Sequence, residues 1–184
     1  MSMLSYTRLR ELVAQGVVVN SAEDAINSAS IDVRLGNKIL VADTLQKGVE
    51  QRLLFLSLKD RTPMPTKEID ITNGSFILNP GEFCLASTME TFNLPLTISA
   101  EFHLKSSAGR IGLNHVLAGW CDAGWNNSAL TVELFNVGHF PIQLHHGVAF
   151  GQMVFTEHEA VPLEASYAVR GRYNNDPQVK GIKP

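Results

Sequence analysis

The sequence has few of the features that mark secreted, membrane-bound and nucleic-acid-binding proteins. It has two cysteines, Cys84 and Cys121, and no Cys-x-x-Cys pair, which favours a reducing compartment and leaves no disulfide framework. No apolar run is long enough to cross a bilayer, and the first residues lack the layout of a secretion signal. The net charge of −3 argues against a basic surface for a phosphate backbone. We therefore expect a cytoplasmic protein that binds neither membranes nor nucleic acid polymers.

The signatures of common catalytic metal sites and phosphate-binding loops are also missing. The six histidines form no HExxH pair, and neither half of the zinc deaminase signature occurs, H-x-E or P-C-x-x-C. No GxxxxGK[ST] or GxGxxG loop occurs either. The sequence therefore predicts chemistry without a protein-bound catalytic metal.

A chain of 184 residues without a repeat or linker predicts one domain, 1–184. Its first element is predicted to be a short helix over Ser5–Gln15. Leu9 and Leu12 share one helical face there, and Gly16 ends the pattern.

Most of the remaining chain predicts strands. Alternating residues predict a strand over 30–35, continued by 38–42, and a strand-like run covers 52–58. Asp32 and Arg34 point to the same side of the first strand, and an ion pair between them is one interpretation. From residue 76 onwards, turn signals separate short strand-like runs at 83–88, 97–104, 114–119, 129–136, 140–144 and 148–155. Short strands at this spacing are typical of a mostly antiparallel sandwich or barrel.

Side chains suited to chemistry are concentrated between residues 105 and 136. Two cations and two hydroxyls lie close together and predict an anion-binding group: Lys105, Ser106, Ser107 and Arg110. Further along, Glu133 is the only charged residue in 129–135. A strand there would place its carboxylate among apolar neighbours, which raises a carboxyl pKa and suits it to proton transfer.

Each of these signals also has a purely structural interpretation. Glu133 could lie on the exposed face of an amphipathic strand, and Asp122 could do no more than shape its glycine-bracketed turn. Trp125 could be core or surface filling. His115 alternates with apolar residues, which favours a hydrogen-bonded strand histidine over a catalytic base.

Taken in order, the motifs resemble those of the dCTP deaminase branch of the dUTPase-like superfamily. The matching segments are 26–38, 79–88, 105–125, 130–136 and 147–155. The resemblance runs from Leu4 to about Tyr173. It implies a mainly β subunit, a distorted β-barrel or jelly roll with a short N-terminal helix. It also implies a homotrimer with active sites between subunits, which hydrolyses dCTP to dUTP and ammonia without zinc.

The resemblance assigns the catalytic step to three residues. Glu133 would be the general acid/base that activates water for attack on cytosine C4. Ser106 and Arg110 would position that water and Glu133. One buried carboxylate can take a proton from water and give one to N3 and to the leaving amine in turn.

The remaining roles concern substrate binding. By the same resemblance, the Ala118 backbone reads the base, Asp122 takes the sugar 3′-hydroxyl, and Trp125 packs against the deoxyribose. The triphosphate with its Mg²⁺ would face Lys105, Ser107, Gln152, Arg172 and Tyr173, and Tyr167 is counted with the substrate-binding residues. The polar tail from about 167 to 184 lacks core periodicity and is predicted to be a flexible lid.

Several departures from the family pattern leave other functions open. Leu117 stands where the family usually has Thr, and the turn at 126–128 is one residue longer, which predicts a bulge or a wider turn. The segment 118–125, AGWCDAGW, resembles bifunctional members that also cleave the triphosphate to give dUMP and diphosphate. A plain dUTPase is disfavoured by Glu133. Leu117 and the altered tail would suit an inactive nucleotide-binding regulator.

Overall fold

The structure is a computed structural model that describes residues 2–43 and 56–183. Part of the strand predicted over 52–58 therefore lies outside the described residues. Its described part, 56–58, is not a strand.

The described residues form short, mainly antiparallel strands with a few short helices. In chain order these are β1 (Ser2–Met3), α1 (Tyr6–Ala14), β2 (Val18–Val19), β3 (Ile31–Arg34), β4 (Lys38–Ala42), β5 (Thr66–Asp70), β6 (Ser75–Leu78), β7 (Phe83–Phe92), β8 (Ile98–Leu104), α2 (Ser106–Arg110), β9 (Leu113–Asn114), β10 (Trp120–Cys121), β11 (Ser128–Asn136), β12 (Ile142–His145), β13 (Ala149–Glu157), a 3₁₀ turn (Leu163–Ala165) and α3 (Tyr167–Arg170).

Two sheets make up most of the domain. The first has the order β1-β13-β8-β10, with β3 also paired to β13, and the second has the order β5-β4-β7-β11-β9, with β2 also paired to β7. A separate two-stranded sheet pairs β12 with β6. All of these pairings are antiparallel, so the predicted mainly β, antiparallel architecture is confirmed.

The predicted N-terminal helix is also present. Leu9 and Leu12 are buried on its inner face, and Gly16 follows it with a φ of 72°. Glycine suits that position because left-handed backbone costs it nothing. The two leucines join a continuous hydrophobic cluster with residues from both sheets, Phe92 and Phe102 among them. Burying each such side chain contributes roughly 1.5–3 kcal/mol.

The strand predicted over 114–119 is wrong. β9 ends at Asn114 and β10 begins at Trp120. Between them, Val116 and Leu117 have φ values of 44° and 59°, which a strand cannot contain.

His115 lies in this loop, so its predicted place in a strand is also wrong. Its side chain is buried. Its ring packs edge-on against Phe102, with the ring centroids 5.1 Å apart. Its Nδ1 is buried and has no partner among the described residues, so the expected hydrogen bond is absent there. Burial lowers the pKa of His115, which favours the neutral ring.

The predicted ion pair between Asp32 and Arg34 is wrong as well. Asp32 instead forms an ion pair with Lys105. Arg34 binds the fully buried carboxylate of Glu90, through its backbone N–H at 2.9 Å and its Nε at 2.7 Å. This second pair ties β3 to β7 and so joins the two sheets. Both carboxylate–cation contacts depend on residues far away in sequence, which the alternation within one strand does not reveal.

Among the described residues, no helix combines the length and apolar character needed to cross a membrane.

Candidate active site

A cavity of about 590 Å³ lies over the faces of β7 and β11. Its volume is within the range of small-molecule sites in proteins. Six of the residues singled out from the sequence line it, and we call them the cavity group: Ala118, Asp122, Trp125, Glu133, Tyr167 and Tyr173.

Glu133 reaches the cavity through the alternation of β11. Val132 and Leu134 face the core, while Thr131 and Glu133 line the cavity. Across the ladder, Glu133 lies opposite Leu85, which is another lining residue. Burial raises the pKa of Glu133, which confirms the direction predicted from its apolar neighbours. Glu133 is therefore half-buried in a cavity and not on an exposed sheet face.

The turn after β10 places Trp125 and Asp122 in the same cavity as Glu133. Gly124 has a φ of 88°, and a Cβ there would lie 3.1 Å from Ser166 Cβ, so both the backbone conformation and the space favour glycine. Trp125 is buried and stacks on Phe92, with the ring centroids 5.5 Å apart. Asp122 is exposed and accepts a hydrogen bond from Trp120 Nε1 at 2.8 Å.

The sequence pattern did not predict a role for Trp120. This residue lines the cavity, although 59% of its surface is exposed. The signal that could have identified it is its spacing, because residues i and i+2 of an extended segment point to the same side.

The longer turn at 126–128 contains one left-handed residue, Asn127, with a φ of 46°. A register shift follows it on β11 between Ala129 and Thr131. The predicted irregularity is therefore confirmed, although the bulge itself lies just beyond the turn.

The C-terminal segment runs along β11 and covers one side of the cavity. The carbonyl of Tyr173 accepts hydrogen bonds from Trp125 Nε1 and from Ser128 Oγ, both at 2.8 Å. Further on, Ala129 donates its N–H to the carbonyl of Asp176 at 2.9 Å, and Val179 is buried. The segment thus packs against the domain without the periodicity of a core element. Its mobility in the empty protein stays a prediction, which amide hydrogen exchange over 167–183 would measure.

A second set of predicted site residues lies outside this cavity. We call it the anion group, and it consists of Lys105, Ser106, Ser107, Arg110 and Gln152. The first four lie at the start of α2 or within it, and Gln152 lies on β13. Arg172 belongs to neither set, since it is exposed and does not line the cavity.

Lys105 and Gln152 are held by neighbouring polar groups. The Lys105 ammonium is paired with Asp32, whose other carboxylate oxygen accepts a hydrogen bond from Asn27 Nδ2 at 2.8 Å. Gln152 lies opposite Asp32 in the ladder of β13 and β3, and its side-chain oxygen accepts a hydrogen bond from Ser30 Oγ at 3.0 Å. The side-chain NH₂ group of Gln152 therefore stays available to donate a hydrogen bond to a ligand.

No cluster of three or more His, Cys, Asp or Glu side chains suited to a metal ion occurs in residues 2–43 and 56–183. The prediction of a zinc-independent reaction remains a prediction.

Fold and site together define a class of protein. It is a mainly antiparallel β domain whose cavity combines a half-buried carboxylate, an aromatic wall and an exposed carboxylate, with hydroxyls and cations outside the cavity. The model of the dCTP deaminase-like family matches residues 3–158, and the chain belongs to this family.

Two curated relatives illustrate the match. The chain is 37% identical over 140 residues to a protein of Hydrogenobaculum sp. (strain Y04AAS1), across 76% of this chain and 72% of the relative. It is 38% identical over 145 residues to a protein of Methanospirillum hungatei JF-1, across 77% of this chain and 74% of the relative. Both relatives are named "dCTP deaminase, dUMP-forming".

A solved structure supports the fold. The 2′-deoxycytidine 5′-triphosphate deaminase of Agrobacterium tumefaciens superposes with a TM-score of 0.64 at 24% identity, over 87% of this chain. The chain matches 49% of that protein, about half of its length. The expected mainly β fold with a short N-terminal helix is confirmed.

Proposed function

We propose that the protein deaminates dCTP and also cleaves its triphosphate, so that dCTP and two waters give dUMP, ammonia and diphosphate. The observation that carries this proposal is the half-buried Glu133, which shares one cavity with Asp122 and Trp125. The names of the two relatives favour dUMP as the product over release of dUTP.

In this proposal Glu133 performs the proton transfers of deamination. Its carboxylate takes a proton from the attacking water, and the oxygen adds to cytosine C4. The protonated carboxyl delivers that proton to N3. Glu133 then takes the proton of the new C4 hydroxyl and passes it to the amine, which leaves as ammonia as the C4 carbonyl forms. A carboxyl whose pKa is raised by burial is suited to both directions of transfer, because its two protonation states are closer in energy near neutral pH.

Three other members of the cavity group, Ala118, Asp122 and Trp125, would hold the nucleoside. Trp125 presents a flat apolar wall to the deoxyribose, and Asp122 accepts a hydrogen bond from the 3′-hydroxyl. The Ala118 backbone reads the edge of the base. Tyr167 and Tyr173 line the side of the cavity near the C-terminal segment.

The triphosphate requires the anion group, which this subunit keeps outside the cavity. We therefore propose a homotrimer in which Ser106 and Arg110 of one subunit complete the cavity of the next. Lys105, Ser107, Gln152, Arg172 and Tyr173 would hold the triphosphate, and Mg²⁺ would arrive with its phosphates. The donor set fits this arrangement, since the described residues offer cations and hydroxyls to phosphate and no cluster of metal ligands.

Product analysis tests the activity directly. The protein is incubated with dCTP and Mg²⁺, and ammonia, dUTP, dUMP and diphosphate are measured over time. Equal amounts of ammonia and dUMP support the proposal, while dUTP that accumulates without dUMP would identify a deaminase that stops at dUTP. Hydrolysis of added dUTP without deamination of dCTP would indicate a dUTPase, and binding without any product an inactive regulator. Glu133→Gln should lose ammonia release, and Glu164→Gln, an exposed glutamate outside the cavity, serves as the control.

Subunit mixing tests the shared site. Glu133→Gln and Arg110→Ala should each be inactive, because each lacks one half of every site. After subunit exchange in an equal mixture, about a quarter of the sites would combine two intact halves and regain activity. If the mixture stays inactive although subunits have exchanged, the two groups do not act across subunits.

A further inference from the structure

Asp122 is held by hydrogen bonds to both its backbone and its side chain. Its backbone carbonyl accepts a hydrogen bond from the Trp125 N–H at 3.2 Å, which closes the turn. Its side-chain Oδ1 accepts the Trp120 Nε1–H at 2.8 Å. Bonds to an ionised acceptor are stronger than neutral ones, so this contact orients an otherwise exposed side chain.

The placement of Trp120 is unusual for an indole. β10 is antiparallel to β8, with Trp120 opposite Glu101, and the alternation of the chain turns Cys121 into the core. Trp120 and Asp122 therefore project to the same side, and both line the cavity. An exposed indole does not contribute the stability that its burial would give. The only polar atom of the Trp120 side chain, Nε1, instead donates a hydrogen bond to the Asp122 carboxylate.

We propose that Trp120 is a positioning residue for the sugar. By occupying Oδ1, its indole N–H turns Oδ2 of Asp122 towards the ligand, where it accepts the 3′-hydroxyl. This inference rests on the proposed function for the role of Asp122. It assigns Trp120 a part in selecting nucleotides that carry a 3′-hydroxyl.

The test compares dCTP with 2′,3′-dideoxy-CTP, which differs only in lacking that hydroxyl. Trp120→Phe keeps a large aromatic ring and removes the N–H. We expect it to lower the preference for dCTP over the dideoxy nucleotide about tenfold, mainly through KM, because the sugar is remote from the reacting C4. Asp122→Ala should lower the same preference at least as far. In the Asp122→Ala background, Trp120→Phe should change it no further.

A purely structural role for Trp120 gives a different result. If Trp120→Phe weakens the use of both nucleotides by the same factor, Trp120 shapes the cavity or contacts the base, and the proposal fails. An unchanged preference also overturns it. Thermal unfolding of each variant shows whether a lost preference accompanies a lost fold, and Trp120→Leu, which also removes the indole N–H, decides the point if Trp120→Phe is unstable.

Equilibrium binding separates this inference from the proposed function. Both nucleotides are titrated into Glu133→Gln and into Glu133→Gln/Trp120→Phe. If the wild type produces no ammonia but the first variant prefers dCTP and the second does not, the proposed activity fails and the role of Trp120 stands. If neither nucleotide binds to either variant, the proposed function and the role of Trp120 both fail.

Discussion

The cavity group and the anion group are built in different ways. Glu133 projects from the nine-residue strand β11, which is paired with β7, and Trp125 is buried, stacked and hydrogen-bonded. The anion group lies mainly on the five-residue helix α2, which buries no residue, and the charge of Lys105 is balanced by Asp32 within the same chain. The first group is preorganised by the fold, whereas the second consists of exposed and half-buried side chains that, in our proposal, need a neighbouring subunit to become a site.

The largest effect should come from the cavity group. Glu133→Gln keeps the shape of the side chain and removes its basicity, so deamination of dCTP should fall by about 10²–10⁴-fold. Nucleotide binding should persist, which isothermal titration can check. Ammonia release within threefold of wild type would remove Glu133 from the proton-transfer role.

A smaller effect is expected from the anion group, and a second substitution should partly reverse it. Lys105→Met should lower kcat/KM for dCTP about a hundredfold, because it removes a cation and leaves the part-buried Asp32 carboxylate unpaired near the triphosphate. Adding Asp32→Asn should recover part of that loss by removing the repulsive charge.

The control for this pair is Glu68→Gln, which breaks the Lys38–Glu68 ion pair between β4 and β5. That variant should leave kinetics unchanged, since neither residue belongs to the two groups. A double variant no better than Lys105→Met alone would show that the Asp32 charge does not influence substrate binding.

Sugar selection should respond more modestly to changes in Trp125. Trp125→Ala opens space beside C2′, so the preference for dCTP over CTP should narrow about tenfold. Trp125→Phe is the matched variant, because it retains a ring against Phe92 and loses only the bond to the Tyr173 carbonyl. The two nucleotides are compared by kcat/KM in each variant. Equal use of CTP and dCTP by the wild type would contradict the role of Trp125.

The smallest effect concerns stability and pH. Burial raises the pKa of Glu133 above the usual carboxyl value of 4.5, so the folded state holds this proton more tightly than the unfolded state. Stability from this group is therefore present at low pH and falls as pH rises from the unfolded pKa through the folded pKa. Glu133→Gln should accordingly gain free energy of unfolding relative to wild type as pH increases. Urea unfolding of both proteins between about pH 4 and pH 8 measures the difference, and a constant difference would show that the pKa of Glu133 is not raised.

Local signals were sufficient for the elements whose cause is local. The spacing of Leu9 and Leu12 with Gly16 after them predicts α1, and the alternation around Glu133 predicts both β11 and the direction of its pKa shift. These predictions hold because one buried face and one exposed face leave a periodic pattern in the chain itself.

Tertiary structure alone decided what depends on distant partners. The partners of Asp32 and Arg34 are Lys105 and Glu90, and the C-terminal segment is anchored by bonds from Trp125 and Ser128 to Tyr173. The left-handed loop at 116–117 is formed by two non-glycine residues, which carry no local signal for such a conformation.

The separation of the two groups is the clearest case. Lys105 and Glu133 lie within one continuous stretch of sequence, yet Glu133 lines the cavity and Lys105 does not, since Lys105 is paired with Asp32 on β3. Proximity along the chain predicts which residues could take part in chemistry. It does not reveal which of them meet, since that depends on strand pairing over long sequence separations.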